Sequence, residues 1–125
     1  MKRRQFNKLM KRSISEIKDF YSVIYDRPGI IKRMINFCYD KDPHNSRGHT
    51  NLIIAMEELA ELQQEISKGI RGKLDRNGLL EEIVDVEHAL MVLKEVYKIN
   101  DAELNKARYI KASRIQRKIE NNNFE

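Results

Sequence analysis

Two stretches, residues 51–69 and 79–98, carry apolar side chains every three or four positions, and this period constrains the fold more than any other feature. It belongs to a helix packed on one side and not to a strand. Between them lies IRGKLDRNG (70–78), a loop with two glycines. So short a connection turns the second helix back along the first, antiparallel. Residues 1–26 repeat the pattern at Phe6, Leu9, Met10, Ile14, Ile17, Phe20, Tyr21 and Ile24, which reads as one or two basic helices broken at Pro28-Gly29. IIKRMINFCY (30–39) is a further helical stretch, and DKDPHNSRGHT (40–50) is a polar loop. Asn100 with Glu103 three residues later is a capping-box pattern, opening a last helix to about residue 120. Two prolines and five glycines are too few turn formers for a sandwich or barrel. The expectation is an all-α antiparallel bundle forming a single domain over 1–125, with a basic helical extension (1–49) and a core (50–120).

Several classes of protein are excluded by pattern. No run of about 18 apolar residues exists to span a membrane. MKRRQFNKLMKRS is basic but lacks the apolar core of a secretory signal. Cys38 is the only cysteine, so neither an internal disulfide nor a multi-cysteine zinc site can form; a small core residue is expected there. A reducing, cytoplasmic location is the default.

Charge is distributed unevenly. Residues 1–50 carry +7, residues 51–95 carry −5 and residues 96–125 carry +3. An acidic middle between basic ends implies two electrostatic jobs, which a net charge of +5 conceals.

The acidic middle holds the informative residues. The first central helix reads AMEELAELQQEI, with Glu57, Glu58, Glu61 and Glu65; the second reads LLEEIVDVEHAL, with Glu81, Glu82, Asp85 and Glu87. Residues three or four apart share a face, so Glu58, Glu61 and Glu65 align, as do Glu82 and Asp85. The apolar arcs are expected at Leu52, Ala55, Leu59, Leu62 and Ile66, and at Leu79, Ile83, Val86, Ala89, Leu90, Leu93 and Val96. Glu58 lies at the edge of the first arc with Glu61 just beyond; Glu82 falls inside the second and Asp85 at its margin. A carboxylate among core positions costs several kcal/mol unless a cation, a basic partner or a proton compensates. Antiparallel packing brings Glu58 and Glu61 opposite Glu82 and Asp85. Four carboxylates converging with no nearby His or Cys form an all-oxygen environment, which suits Mg²⁺, or Mn²⁺. Glu57, Glu65, Glu81 and Glu87 taken singly read as solvated charges.

Glu57-Glu58-x-x-Glu61, twenty intervening residues and Glu82-x-x-Asp85 together resemble the signature of the MazG-like all-α nucleoside triphosphate pyrophosphohydrolases. The surrounding AMEELAELQQEISK and LLEEIVDVEHALMVLKEVY are similar to that family's two metal-binding helices. KINDAELNKARYIKASRIQRKI is similar to the tail of its small phage-type members. The resemblance covers residues 50–119. It implies Glu58, Glu61, Glu82 and Asp85 as magnesium ligands, with Glu57 and Glu61 in catalytic roles at the attacking water. It implies substrate contacts from Lys111, Arg114 and Arg117, and hydrolysis of nucleoside triphosphates to monophosphate and pyrophosphate. It also implies a homodimer or homotetramer. The Asn that several branches carry after Asp85 is absent from VEHALMVLK.

Other features have plainer readings. Lys68, Arg71, Lys73 and Arg76 flank the central loop and could reach a polyphosphate. His88 follows Asp85 by three, as in di-iron bundles, but the second such element is missing, since His44 and His49 fall in the loop. Leu80, Val84 and Met91 form a second apolar patch, the mark of a subunit interface or of packing by residues 1–39. Lys2, Arg3, Arg4, Lys8, Lys11 and Arg12 read as a solubilising extension packed on the bundle, ahead of a nucleic-acid contact. The alternative to an enzyme is a non-catalytic helical module that binds nucleic acid or a protein partner through its basic termini.

Overall fold

The computed structural model describes residues 3–21, 29–30, 32–33, 35–36 and 49–122. The described residues contain no strand, and the protein is all-α. We label the helices α1 (Arg3–Leu9), α2 (Ile14–Tyr21), α3 (His49–Ile70), α4 (Arg76–Val96) and α5 (Asp101–Glu120). No described helix is long and apolar enough to cross a membrane. The chain divides into two compact units, Met1–Leu93 and Lys94–Glu125. Cys38, His44, half of the 30–39 stretch and most of the 40–50 stretch lie outside the described residues.

Local chemistry sets the helix ends. Ser13 caps α2: its hydroxyl receives the Glu16 N–H at 3.4 Å, and the Ser13 N–H reaches the Glu16 carboxylate in return. α3 closes in a Schellman turn. The Lys73 N–H reaches the Lys68 carbonyl at 2.8 Å, the Gly72 N–H reaches the Gly69 carbonyl, and Gly72 sits at φ +76°. α4 ends the same way, but Lys98 occupies the left-handed position at φ 55°. The capping box expected at α5 is present: the Glu103 N–H donates to Asn100 Oδ1 at 2.7 Å, and the Asn100 N–H to Glu103 Oε2 at 3.0 Å.

The loop between α3 and α4 is shorter than its glycines suggest. Asp75 accepts the Gly78 N–H at 3.1 Å and so caps α4, which starts at Arg76 and draws Gly78 into its first turn. The connection is five residues, and α3 and α4 pack antiparallel as expected.

Much of each expected arc faces inward: Ala55 and Ala89 are buried, and Leu52, Leu62, Leu79, Val86, Leu93 and Val96 are half-buried. The same faces also take in Asn51, Glu58 and Glu65 on α3 and Gly78, Glu82, Asp85 and Val92 on α4. Leu59, Ile66, Ile83 and Leu90, expected inside, are 40–51% exposed. The physical reason is electrostatic. Glu65 and Glu81, expected to be solvated, acquire a cationic partner from α1, so the acidic row turns inward with it. The fully buried apolar side chains among the described residues are Ala55, Ala89 and Val92 alone.

Candidate metal centre

The inward turn of the acidic row creates two adjoining carboxylate groups. The first is held by Arg3. Its Nη1 lies 3.0 Å from Asp75 and 3.5 Å from Glu65, its Nη2 3.0 Å from Glu82, and its Nε 3.4 Å from Glu81. Glu65 also takes Lys68 Nζ at 3.0 Å. A planar guanidinium can serve several carboxylates because its donors point in fixed, divergent directions. The Gly78 N–H, followed by Arg3, holds the Asp75 carboxyl below the usual aspartate range. Gly78 makes room for this arrangement. A Cβ there would collide with the Arg3 guanidinium and lie 2.7 Å from Asp75 and 2.9 Å from Glu65.

The second group comprises Glu58, Glu61, Glu82 and Asp85, one ligand atom from each lying within 4.8 Å of all the others. These are the four carboxylates that the helical spacing brings together. Glu82 is 5% exposed, Glu58 and Asp85 are half-buried, and Glu61 is open to solvent. Burial raises Glu58 from 4.5 to about 7, aided by the charges of Asp85, Glu61 and Glu82. Burial also raises Glu82 to about 7, reinforced by a hydrogen bond and charge from Glu61 and opposed by Arg3. Asp85 is raised by burial, with Glu58 and the His88 charge pulling the other way.

Burial is the leading cause of all three shifts, and neighbouring carboxylates add to it. Arg3 satisfies one oxygen of Glu82 and none of the other three carboxylates. The Oε2 atoms of Glu58 and Glu82 are buried without a hydrogen-bond partner. An all-oxygen donor set with orphaned lone pairs fits a hard divalent cation. Glu58, Glu61, Glu82 and Asp85 would hold it.

Beyond Glu58 and Asp85 the helices open into a cavity of about 90 Å³. Asn51, Ile54, Ala55 and Glu58 line it from α3, and Asp85, His88, Ala89 and Val92 from α4.

Other expected site residues fall elsewhere. Glu57 is exposed on α3, outside the four-carboxylate group, and Glu87 is exposed on α4. Lys111, Arg114 and Arg117 are exposed on α5, in the second compact unit. Lys68 is engaged with Glu65. His49 begins α3 and does not lie in a loop, as had been expected. Arg3 and Asn51 were not singled out from sequence. Nothing distinguishes Arg3 within a run of basic residues. The row Asn51, Ala55, Glu58, Leu62 and Glu65 is itself helical spacing and could have marked Asn51 as buried.

No protein-family model, curated protein or solved structure matches the chain.

Proposed function

We propose that the protein is a Mg²⁺-dependent nucleoside triphosphate pyrophosphohydrolase of the MazG-like bundle type, with Mn²⁺ as a second usable ion. The observation that carries this reading is the convergence of Glu58, Glu61, Glu82 and Asp85 within 4.8 Å, two of them with orphaned oxygens. When bound, a divalent cation neutralises a triphosphate and lowers the pKa of water.

The chain's residues divide the remaining work. Glu58, Glu82 and Asp85 supply buried or half-buried anionic oxygens, and Glu61 supplies a solvent-facing one. Glu57 and Glu61 accept the proton as water adds to phosphorus; the phosphoanhydride bond breaks and pyrophosphate departs with the bonding electrons. On α5, Lys111, Arg114 and Arg117 recur every three residues, a cationic row of the kind that suits phosphate oxygens. Oligomerisation, as a homodimer or homotetramer, would cover Met56, Leu59, Ile66, Ile83 and Leu90, which are 40–70% exposed. Exposed α5, with no buried residue and six Lys/Arg side chains, is what supports the binding-module alternative.

The test is hydrolysis of a panel of ribo- and deoxyribonucleoside triphosphates with Mg²⁺, products separated chromatographically, with Glu82→Gln as control. Monophosphate and pyrophosphate from the wild type alone support the reading. A folded protein that stays inactive across the panel refutes it. Salt-dependent DNA or RNA binding, unaltered by Glu82→Gln, would then favour the binding module.

A further inference from the structure

The cavity between α3 and α4 contains a feature that a metal centre does not use. Asn51 is 2% exposed, and its Nδ2 has no hydrogen-bond partner. Buried amide donors are almost always satisfied, so this one marks a place where an acceptor belongs. The cavity that Asn51 lines has a polar edge and an apolar slot. His88 adds an imidazole to the edge, and each ring nitrogen can donate or accept according to its protonation. Ala55 and Ala89, both buried, keep the slot open because neither reaches far from its helix. Ile54 and Val92 form the remaining apolar walls.

Position adds to this. Asn51 precedes Glu58 by seven residues, or about 10 Å along α3. The cavity therefore starts at the carboxylate group and ends at the free amide. A ligand with phosphates at one end and a flat, acceptor-bearing ring at the other matches that length and polarity.

We infer that the Asn51–His88 cavity is the seat of a pyrimidine base, with Asn51 Nδ2 donating to a ring carbonyl oxygen. The inference rests on the proposed triphosphate hydrolysis and deepens it by assigning the base class. Apolar walls hold the ring faces, and a cavity of about 90 Å³ favours one ring over a fused pair.

Kinetics on the full chain test this, with pyrimidine and purine nucleoside triphosphates compared against inorganic triphosphate, which has no base. The wild type is expected to favour pyrimidines by about tenfold or more in kcat/KM, as a site built around a hydrogen bond does. Asn51→Leu should lose that preference mainly through KM, with inorganic triphosphate cleavage staying within about twofold. Equal losses on all substrates, or an undiminished preference, would overturn the assignment. A wild type that cleaves nothing refutes the hydrolase reading instead. The base seat is then judged by NMR, which also serves if Asn51→Leu does not fold. Uridine monophosphate should shift the His88 ring resonances of the wild type, and inorganic phosphate should not. No shift with uridine monophosphate, or the same shift with both, means that water or another group satisfies Asn51 and ends the proposal.

Discussion

Glu82→Gln preserves volume and removes one charge from the most enclosed carboxylate of the centre. In the folded wild type, burial and Glu61 raise Glu82 from 4.5 to about 7, so at pH 8 it is ionised against an unfavourable environment. At about 1.4 kcal/mol for each pKa unit, ionisation there costs roughly 3 kcal/mol more than in the unfolded chain. The sign follows: a carboxyl raised on folding stabilises the protein at low pH, and that contribution is lost as pH climbs from 4.5 through about 7. Gln escapes the loss, and the opposing attraction of Arg3 Nη2, 3.0 Å away, is already contained in the raised value. The result is a variant more stable than wild type by roughly 3 kcal/mol at pH 8 in chelator, with the gain gone by pH 4. Urea denaturation at both pH values measures it. Added Mn²⁺ should then raise the melting temperature of the wild type much more than that of Glu82→Gln. A variant that loses more than about 1 kcal/mol at pH 8 in chelator, or that responds to Mn²⁺ as the wild type does, would refute the reasoning.

Three further outcomes follow from other contacts. Arg3→Ala strands Glu65, Glu81 and Glu82 without their shared cation and should destabilise the fold by about 2–4 kcal/mol in denaturant titrations; Arg3→Lys should recover less than half, because a point charge cannot replace the fork. Gly78→Ala gains about 1 kcal/mol of helix propensity yet should be destabilising, since its Cβ meets Arg3 and two carboxylates; the penalty should shrink in an Arg3→Ala background, a coupling read from a double-mutant cycle. Lys98→Gly relieves a left-handed lysine at the end of α4 and should stabilise by about 1 kcal/mol, detected as slower amide exchange in the last turn of that helix.

How far the sequence reaches can be seen residue by residue. Glu58, Glu61, Glu82 and Asp85 were legible because helix geometry and a short connection fix their mutual placement before any packing is considered. Asn100 and Glu103 announce their own capping box, since all its partners lie within one turn. Ser13 and Glu16 carry the same local pattern at the start of α2. Asp75 was hidden for a different reason: Asn77-Gly78 reads as a turn until Asp75 is seen to cap the helix that contains it.

The sequence by itself determined an all-α chain, the antiparallel pairing of two acidic helices and the identity of the four clustered carboxylates. Periodicity and loop length are local quantities, and those features depend on nothing else. Tertiary structure decided how far the acidic row turns inward. Leu59, Ile66, Ile83 and Leu90 are 40–51% exposed while Glu65 is buried beside Arg3, more than sixty residues away in the chain. A hydrophobic arc ranks each side chain by its own transfer free energy. It has no means of knowing that a distant cation will make a buried Glu65 tolerable.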